Sequence, residues 1–479
     1  MTPQKRYAPE KEAFAVIVPS DGLPGPSPAP IIGWHREFYR WSRDPIGYLT
    51  AMYENFGTMC GWRSERPRVF AFGPSYNKEV LKNPGLFRMT SQEGAQKSIG
   101  NVELNCLRSG LLMLDGENHR LHRQLMSPAF GQREIERYWP AIVAIAERML
   151  ERWRVGEMRD IEQELRRLVH EVAMRIVLGV EDQKETERIA VLVDRFLTSA
   201  PRAMMFPVRL PGTSYSRLLG AAKEIFQLLE TLVAERGGRS GLANDVLEIL
   251  VRTRDKRGVI MTDAQLIGEA YNVLCHESTA SALTWAVFLL SQHPEIAASL
   301  AEELDGTLRG DPPTLSQLKH LPLLDQIVKE TLRILPTAPF ARRFAAEQCS
   351  LGGKTFPKGT VIFLSQYITQ RMPEIFPEPR KFLPARWESF QPSAYEYFPF
   401  GIGVHNCIGG TFALTEMKIV LAMLVQRFRL AVPAGARVDR RFELSLRPKN
   451  GMRMAIEAQD RGGGRTSVTG DITQMVDLE

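Results

Sequence analysis

One cysteine in a glycine-broken loop constrains this chain more than any other feature. The stretch Phe400-Gly401-Ile402-Gly403-Val404-His405-Asn406-Cys407-Ile408-Gly409-Gly410 runs directly into a helical pattern. There Phe412, Met417, Val420, Leu421, Leu424 and Phe428 fall on one face at 3.6-residue spacing. Cys407 is thereby placed at a helix N-terminus, where free N–H groups and the positive end of the dipole favour a thiolate over a thiol. Gly401 and Gly403 have no Cβ, so the loop can turn sharply and a flat ligand can approach its backbone. A thiolate ringed by N–H donors suits an axial metal ligand whose electron donation is tuned by hydrogen bonds. The competing reading is a buried structural cysteine beside an ordinary turn. The fixed offsets of the aromatic, the glycines and the cysteine favour the ligand.

Phe400-x-x-Gly403-x-x-x-Cys407-x-Gly409 resembles the haem-binding signature of the cytochrome P450 family. The resemblance implies a mainly α fold with a minor β-sheet region, holding haem between a long central helix and the cysteine loop. It makes Cys407 the proximal thiolate of haem b (iron protoporphyrin IX), with Phe400, Gly401, His405 and Gly409 around the cofactor.

Composition agrees with one large globular body. Of 479 residues, 44% are hydrophobic and 24% charged, enough for a sizeable core. The net charge of +6 is dispersed rather than gathered in an arm. The basic run Arg152 to Arg167 contains Glu157, Asp160, Glu162 and Glu164, so it reads as a solvated helix face and not a nucleic-acid site. Five cysteines (Cys60, Cys106, Cys275, Cys349, Cys407) at irregular spacing, with no CxxC pair, argue against a disulfide framework or a structural zinc site. The apolar run Ala13 to Val18 is too short for a signal-peptide core or a membrane span. These features predict a soluble, reduced, cytoplasmic protein without a transmembrane segment.

Residues 1–35 read as an N-terminal arm whose Pro24 to Pro30 segment is stiff and extended. Residues 36–460 read as a single haem-thiolate catalytic domain, and the glycine-rich, polar stretch 461–479 as a disordered tail. Short strands are predicted at Arg68 to Phe72 and Thr360 to Leu364, with a hairpin at Gly352-Gly353. Helices are predicted at about 137–153, 158–178, 183–199, 215–236, 243–253, 263–292, 322–334 and 412–428.

The longest of these starts on a capping box, Thr262 with Gln265, and stops at Pro294. At 1.5 Å per residue it spans about 45 Å, the width of a domain. Its middle reads Leu274-Cys275-His276-Glu277-Ser278-Thr279-Ala280, and Cys275, Ser278, Thr279 and Ala282 share one small, hydroxylated face. By the resemblance, Glu277 and Ser278 are the acid–alcohol pair that delivers protons during dioxygen reduction. Two departures from the family pattern stand here. Ser278 replaces the usual threonine and loses the methyl that restricts its rotamer. Cys275 replaces a glycine at the groove where oxygen is accommodated.

Three further blocks agree with the resemblance. Glu330 and Arg333, one helical turn apart, match the family's structural pair, with Arg386 as third partner. His119 and Arg123, at i and i+4, match a helix that binds the haem propionates, anions best met by arginine. Arg343 matches the other propionate position, with Arg342 leaving the register open by one. Segments mapping to the distal pocket (90–108, 196–212, Thr337 to Ala341, Leu444 to Pro448) are largely apolar, with Met204, Met205, Phe206, Phe340 and Leu446 prominent. The chain is therefore expected to be a monooxygenase that inserts one atom of O2 into a lipophilic small molecule. No flavin or iron–sulfur module is visible, so its electrons are expected from a separate ferredoxin or flavodoxin with its reductase. The alternatives are a peroxide-using or rearranging haem-thiolate enzyme, and a non-enzymatic haem protein that binds a ligand.

Overall fold

The computed structural model describes residues 22–64, 66–90, 101–205, 207–237, 245–255, 257–274 and 277–478. Helix makes up 54% and strand 12%, the mainly α proportion that the apolar periodicity predicts. The helices that position the site are α1 (Gly116–Met126), α2 (Ile161–Leu178), α3 (Gln183–Met205), α4 (Ser214–Gly237), α5 (Asp263–Leu274), α6 (Glu277–Gln292), α7 (Pro322–Ile334) and α8 (Gly410–Arg427). A mixed sheet carries strands β1 (Met59–Trp62), β2 (Arg68–Ala71), β3 (Phe87–Arg88), β4 (Ala341–Ala345) and β5 (Val361–Leu364). Their spatial order is β1-β2-β5-β4-β3, with β2 and β5 parallel, Arg68 opposite Val361, and every other pair antiparallel.

Helix α6 lies at the centre because it is apolar on every side: Leu283, Trp285, Ala286, Phe288 and Leu289 are all fully buried. It packs against α2, α7 and α8. The span Asp263–Gln292 has the length and composition to cross a membrane, but 81% of its most apolar window is buried inside the protein. The predicted capping box forms: the Thr262 N–H donates to Gln265 Oε1 at 2.9 Å, and the Gln265 N–H to Thr262 Oγ1 at 3.4 Å. Pro294 ends α6 and also opens the next helix, Pro294–Leu308, as its first residue. Helix α2 begins three residues later than predicted, since Met158–Asp160 pair with Arg453–Ala455 as a strand and Asp160 caps the helix. The hairpin at Gly352-Gly353 joins strands Cys349–Leu351 and Lys354–Phe356, as predicted.

The described part of the lead-in and the C-terminal stretch both contact the body. Pro24 accepts a 2.9 Å hydrogen bond from the Gly61 N–H, which fastens the proline-rich lead-in to β1. The stretch predicted as a disordered tail from 461 on instead lies against the body. Val468–Thr469 pair in parallel with Ala436–Arg437, and Ile472, Met475 and Val476 are buried at i, i+3 and i+4. Asp477 is held twice by Arg380, through its N–H to the Arg380 carbonyl at 2.9 Å and through its carboxylate to Nη2 at 2.7 Å. Glycine and polar content hid this apolar triplet. Ile472→Ala should cost about 2–5 kcal/mol in a denaturant melt, as an unrelieved core cavity does.

Candidate active site

The Cys407 loop folds as its glycines require. Gly401 and Gly403 take φ of +68° and +73°, a region that side-chain-bearing residues avoid, and a Cβ on Gly403 would lie 3.1 Å from the Leu81 carbonyl. The turn is closed by the Cys407 N–H donating to the Phe400 carbonyl at 2.7 Å. Helix α8 starts at Gly410, where a Cβ would lie 3.4 Å from the Phe400 ring, so Cys407 lies just ahead of the first turn. Cys407 reaches accessible space, yet surrounding protein desolvates its sulfur and raises the thiol pKa. The Gly409 N–H and the Arg123 charge oppose that rise without cancelling it. Helix-end stabilisation of the thiolate is thus present but is outweighed by desolvation in the protein alone, and a coordinated metal ion is what would complete deprotonation.

Arg123 anchors the residue before the cysteine, donating to the Asn406 carbonyl at 2.6 Å and to its Oδ1 at 2.5 Å. His119, one turn earlier on α1, is buried with its ring 4.1 Å from that of His405. Burial, then His405 and Arg123, push the His119 pKa down to about 4. In the protein alone this favours the neutral imidazole, and a carboxylate placed beside it would work in the opposite direction. His405 Nε2 lies 3.3 Å from Asp115 Oδ1. Burial works to raise the Asp115 pKa, but His405 and the donors Met89 N–H, Thr90 N–H and Thr90 Oγ1 outweigh it and hold it at about 2.

Strand alternation in β4 turns Arg343 inward and leaves Arg342 exposed. Arg343 pairs with no carboxylate among the described residues; its one hydrogen bond goes to the Arg342 carbonyl at 2.8 Å. Burial lowers its pKa to about 10, so it remains charged at neutral pH. A buried, uncompensated guanidinium is costly unless an anion meets it. With Arg123, His119 and a loop sulfur, this donor set fits haem, whose carboxylates would meet Arg343 and whose iron would take the sulfur.

Glu277 and Ser278 form the first turn of α6, with Glu277 half-buried and Ser278 exposed. Desolvation raises the Glu277 pKa, and nearby Arg166 and Arg447 moderate the rise. Thr279 and Ala282, expected on the same small face as Ser278, are buried. Cys275 lies outside the described residues, as do Phe206 and the side chains of Met204 and Met205. Of the expected pocket segments, two are brought together where the Leu446 N–H donates to the Thr337 carbonyl at 2.9 Å. Glu330, Arg333 and Arg386 converge as predicted, with Glu330 accepting from Arg333 Nε at 2.8 Å and from Arg386 Nε at 3.0 Å.

Sequence reasoning missed a buried link between α1 and α5. His122 Nδ1 lies 2.6 Å from Glu269 Oε1, and His122 Nε2 lies 3.1 Å from Gln265 Nε2. Because Gln265 Oε1 is taken by the Thr262 N–H, the amide nitrogen must donate to His122 Nε2. His122 is therefore assigned the Nδ1–H tautomer, donating to Glu269. The Leu111 N–H also donates to Glu269, at 3.1 Å. Two ionisable residues some 150 positions apart give no periodic signal; only the fold shows their pairing.

The family model for cytochrome P450 matches residues 23–454. The chain belongs to the cytochrome P450 family. It is 28% identical over 446 residues to cyclooctat-9-en-7-ol 5-monooxygenase of Streptomyces melanosporofaciens, covering 90% of this chain and 93% of that one. It is 32% identical over 376 residues to pentalenene oxygenase of Streptomyces avermitilis, covering 76% and 82%. Its fold matches the retinoic acid-bound cyanobacterial CYP120A1 at a TM-score of 0.79 and 25% identity, over 91% of this chain and 100% of that one. The protein is a P450-type monooxygenase with a haem-thiolate cofactor, acting on a small molecule with O2.

Proposed function

We propose that Cys407 is the thiolate ligand of this P450, that Arg343, Arg123 and His119 hold the propionates, and that Glu277 and Ser278 deliver protons. The observation that carries this reading is the buried Arg343 guanidinium, without a carboxylate partner among the described residues, in the same protein as an accessible Cys407 whose loop is anchored by Arg123. Phe400, Gly401, His405 and Gly409 shape the loop around the sulfur. Haem bound there supplies reductive activation of dioxygen and transfer of one oxygen atom to carbon. Arg343 and Arg123 fix the cofactor's orientation by charge, and His119 adds a hydrogen bond. Glu277 holds a proton more tightly than an ordinary carboxyl, as a donor working near neutral pH requires, and the Ser278 hydroxyl beside it can pass that proton on.

The substrate is proposed to be lipophilic, since the fully buried Leu446 and the half-buried Phe340 come from two pocket segments joined at Thr337. Electrons are proposed to come from a ferredoxin or flavodoxin with its reductase. Basic α1, with Arg120 exposed and Arg123 beside the cysteine loop, suits an acidic partner. A cytoplasmic location agrees with Cys60, Cys106, Cys349 and Cys407 all being free.

The test is the double variant Glu277→Gln with Ser278→Ala, assayed with a ferredoxin and its reductase. Product formation should fall about 100-fold, the low end for loss of a positioned proton donor, while reductant is still consumed. Unchanged product per electron would overturn the proton-delivery assignment.

A further inference from the structure

Helix α1 is held from two sides by groups on different parts of the chain. On one side Arg123 donates to the Asn406 carbonyl at 2.6 Å and to its Oδ1 at 2.5 Å, and the His119 ring packs against His405. His122 precedes Arg123 by one position, about 100° around the helix, and turns to α5 instead. There Glu269 Oε1 lies 2.6 Å from His122 Nδ1, and the Gln265 amide nitrogen lies 3.1 Å from His122 Nε2. Both ring nitrogens of His122 are thus engaged by α5, while its neighbours on α1 hold the cysteine loop.

Glu269 is fully buried and uses both of its oxygens. Oε1 serves His122, and Oε2 accepts from the Leu111 N–H at 3.1 Å, with a longer 3.4 Å contact from the Asn272 amide. The turn that carries Leu111 lies hard against α5. A Cβ on Gly110 would fall 2.6 Å from the Gly268 carbonyl oxygen, and one on Gly268 would fall 2.6 Å from Ser109 Oγ and 3.0 Å from the Cys106 carbonyl oxygen. Glycine at both positions is what lets the two backbones meet. Cys106 Sγ lies 3.2 Å from the Ala264 carbonyl and fastens the same segment further along α5. A carboxylate suits this junction because it offers two acceptor oxygens and no donor, whereas an amide offers one oxygen for two N–H groups.

We propose that Glu269 is a positioning residue for the haem: through His122 it fixes α1 against α5, and α1 in turn sets where Arg123 and His119 meet the propionates and where Asn406 leads into Cys407. This rests on Arg123 and His119 holding the propionates, as proposed above. The path is a short chain of direct contacts, from Glu269 to His122, along one residue of helix to Arg123, and on to Asn406. A hydrogen bond to a buried carboxylate is of the strong, charge-assisted kind, so it holds the helix firmly. Glu269 acts through His122 and transfers neither proton nor electron.

The test measures haem loss from the ferric protein to excess apomyoglobin, followed by absorbance. Glu269→Gln should speed it about tenfold, as loss of a buried hydrogen bond to a charged group does. Arg123→Ala should speed it too. Because both act through α1, the double variant should lose haem about fivefold more slowly than the product of the single effects, a coupling typical of residues in one network. Ile472→Ala weakens the protein elsewhere, so its effect should simply multiply with that of Arg123→Ala. Should Glu269→Gln fail to fold, His122 carries the same test. His122→Ala should lose haem fast, and His122→Asn, whose amide can donate to Glu269 as Nδ1–H does, should restore most of the grip. A wild-type rate in Glu269→Gln, effects that multiply with Arg123→Ala, or equal rates in the two His122 variants overturn the proposal. A wild-type rate in Arg123→Ala is a different failure: it removes the propionate assignment, and the haem role of Glu269 with it.

Discussion

Cys407→Ala is expected to abolish the strongly red-shifted Soret band of the dithionite-reduced, carbon monoxide-bound protein, together with all monooxygenase turnover. The shift depends on electron donation from a thiolate sulfur, and alanine offers no ligand atom. Haem should be retained in part, because Arg343, Arg123 and His119 stand on β4 and α1, not on the cysteine loop. A haem-containing variant without the red-shifted band would separate ligation from folding. Two of the other described cysteines, Cys60 and Cys349, are internal controls. Burial pushes the Cys60 thiol up to about 12 and the Cys349 thiol to about 11, so neither supplies a thiolate at neutral pH. Cys60→Ala and Cys349→Ala should keep the band. Its persistence in Cys407→Ala would overturn the ligand assignment.

What the sequence made legible follows the range of each physical signal. The cysteine loop could be read residue by residue because its chemistry is local: glycines with positive φ, a cysteine and a helix start lie within ten positions. The capping box at Thr262, the hairpin at Gly352-Gly353 and the helical periods were legible for the same reason. Burial was not. Arg342 and Arg343 look alike in sequence, and only the pairing of β4 with β5 decides which faces inward. The sequence did not disclose the His119 environment either, because its lowered pKa comes from burial and from His405, both consequences of tertiary packing. The C-terminal strap was hidden by composition: Ile472, Met475 and Val476 are only three apolar residues, and they bury themselves against parts of the chain far away in sequence.

Glu330→Gln should be among the most destabilising single substitutions in the protein, costing about 3–5 kcal/mol at neutral pH, as removal of one partner from a buried ion pair does. Glu330 and Arg333 are both fully buried, and Arg386 is nearly so. The carboxylate accepts five hydrogen bonds: two from Arg333 at 2.8 Å, and one each from Arg386 Nε, the Leu383 N–H and Trp387 Nε1 at 3.0 Å. Burial works to raise its pKa, but Arg333 foremost, then Arg386 and the Leu383 N–H, hold it below the ordinary range. The sign of the pH dependence follows. A depressed carboxyl contributes its full stabilisation above the unfolded pKa of about 4.3 and loses it as pH falls through the folded value. The gap between wild type and Glu330→Gln should therefore be widest near neutrality and narrow in acid. Replacing both partners by apolar residues often rescues a simple buried pair. Here it should not, because Arg333 also donates to the carbonyls of Gln370 at 3.0 Å, Pro379 at 2.8 Å and Lys381 at 3.1 Å. Glu330→Leu with Arg333→Met removes the donor from all three, and the buried Gln370 carbonyl alone should cost about 1–3 kcal/mol. Urea unfolding of the haem-bound protein at pH 7 and at acid pH below about 4.3 measures both effects. A double variant as stable as wild type would mean that these residues form an isolated ion pair and do not organise the 370–387 segment.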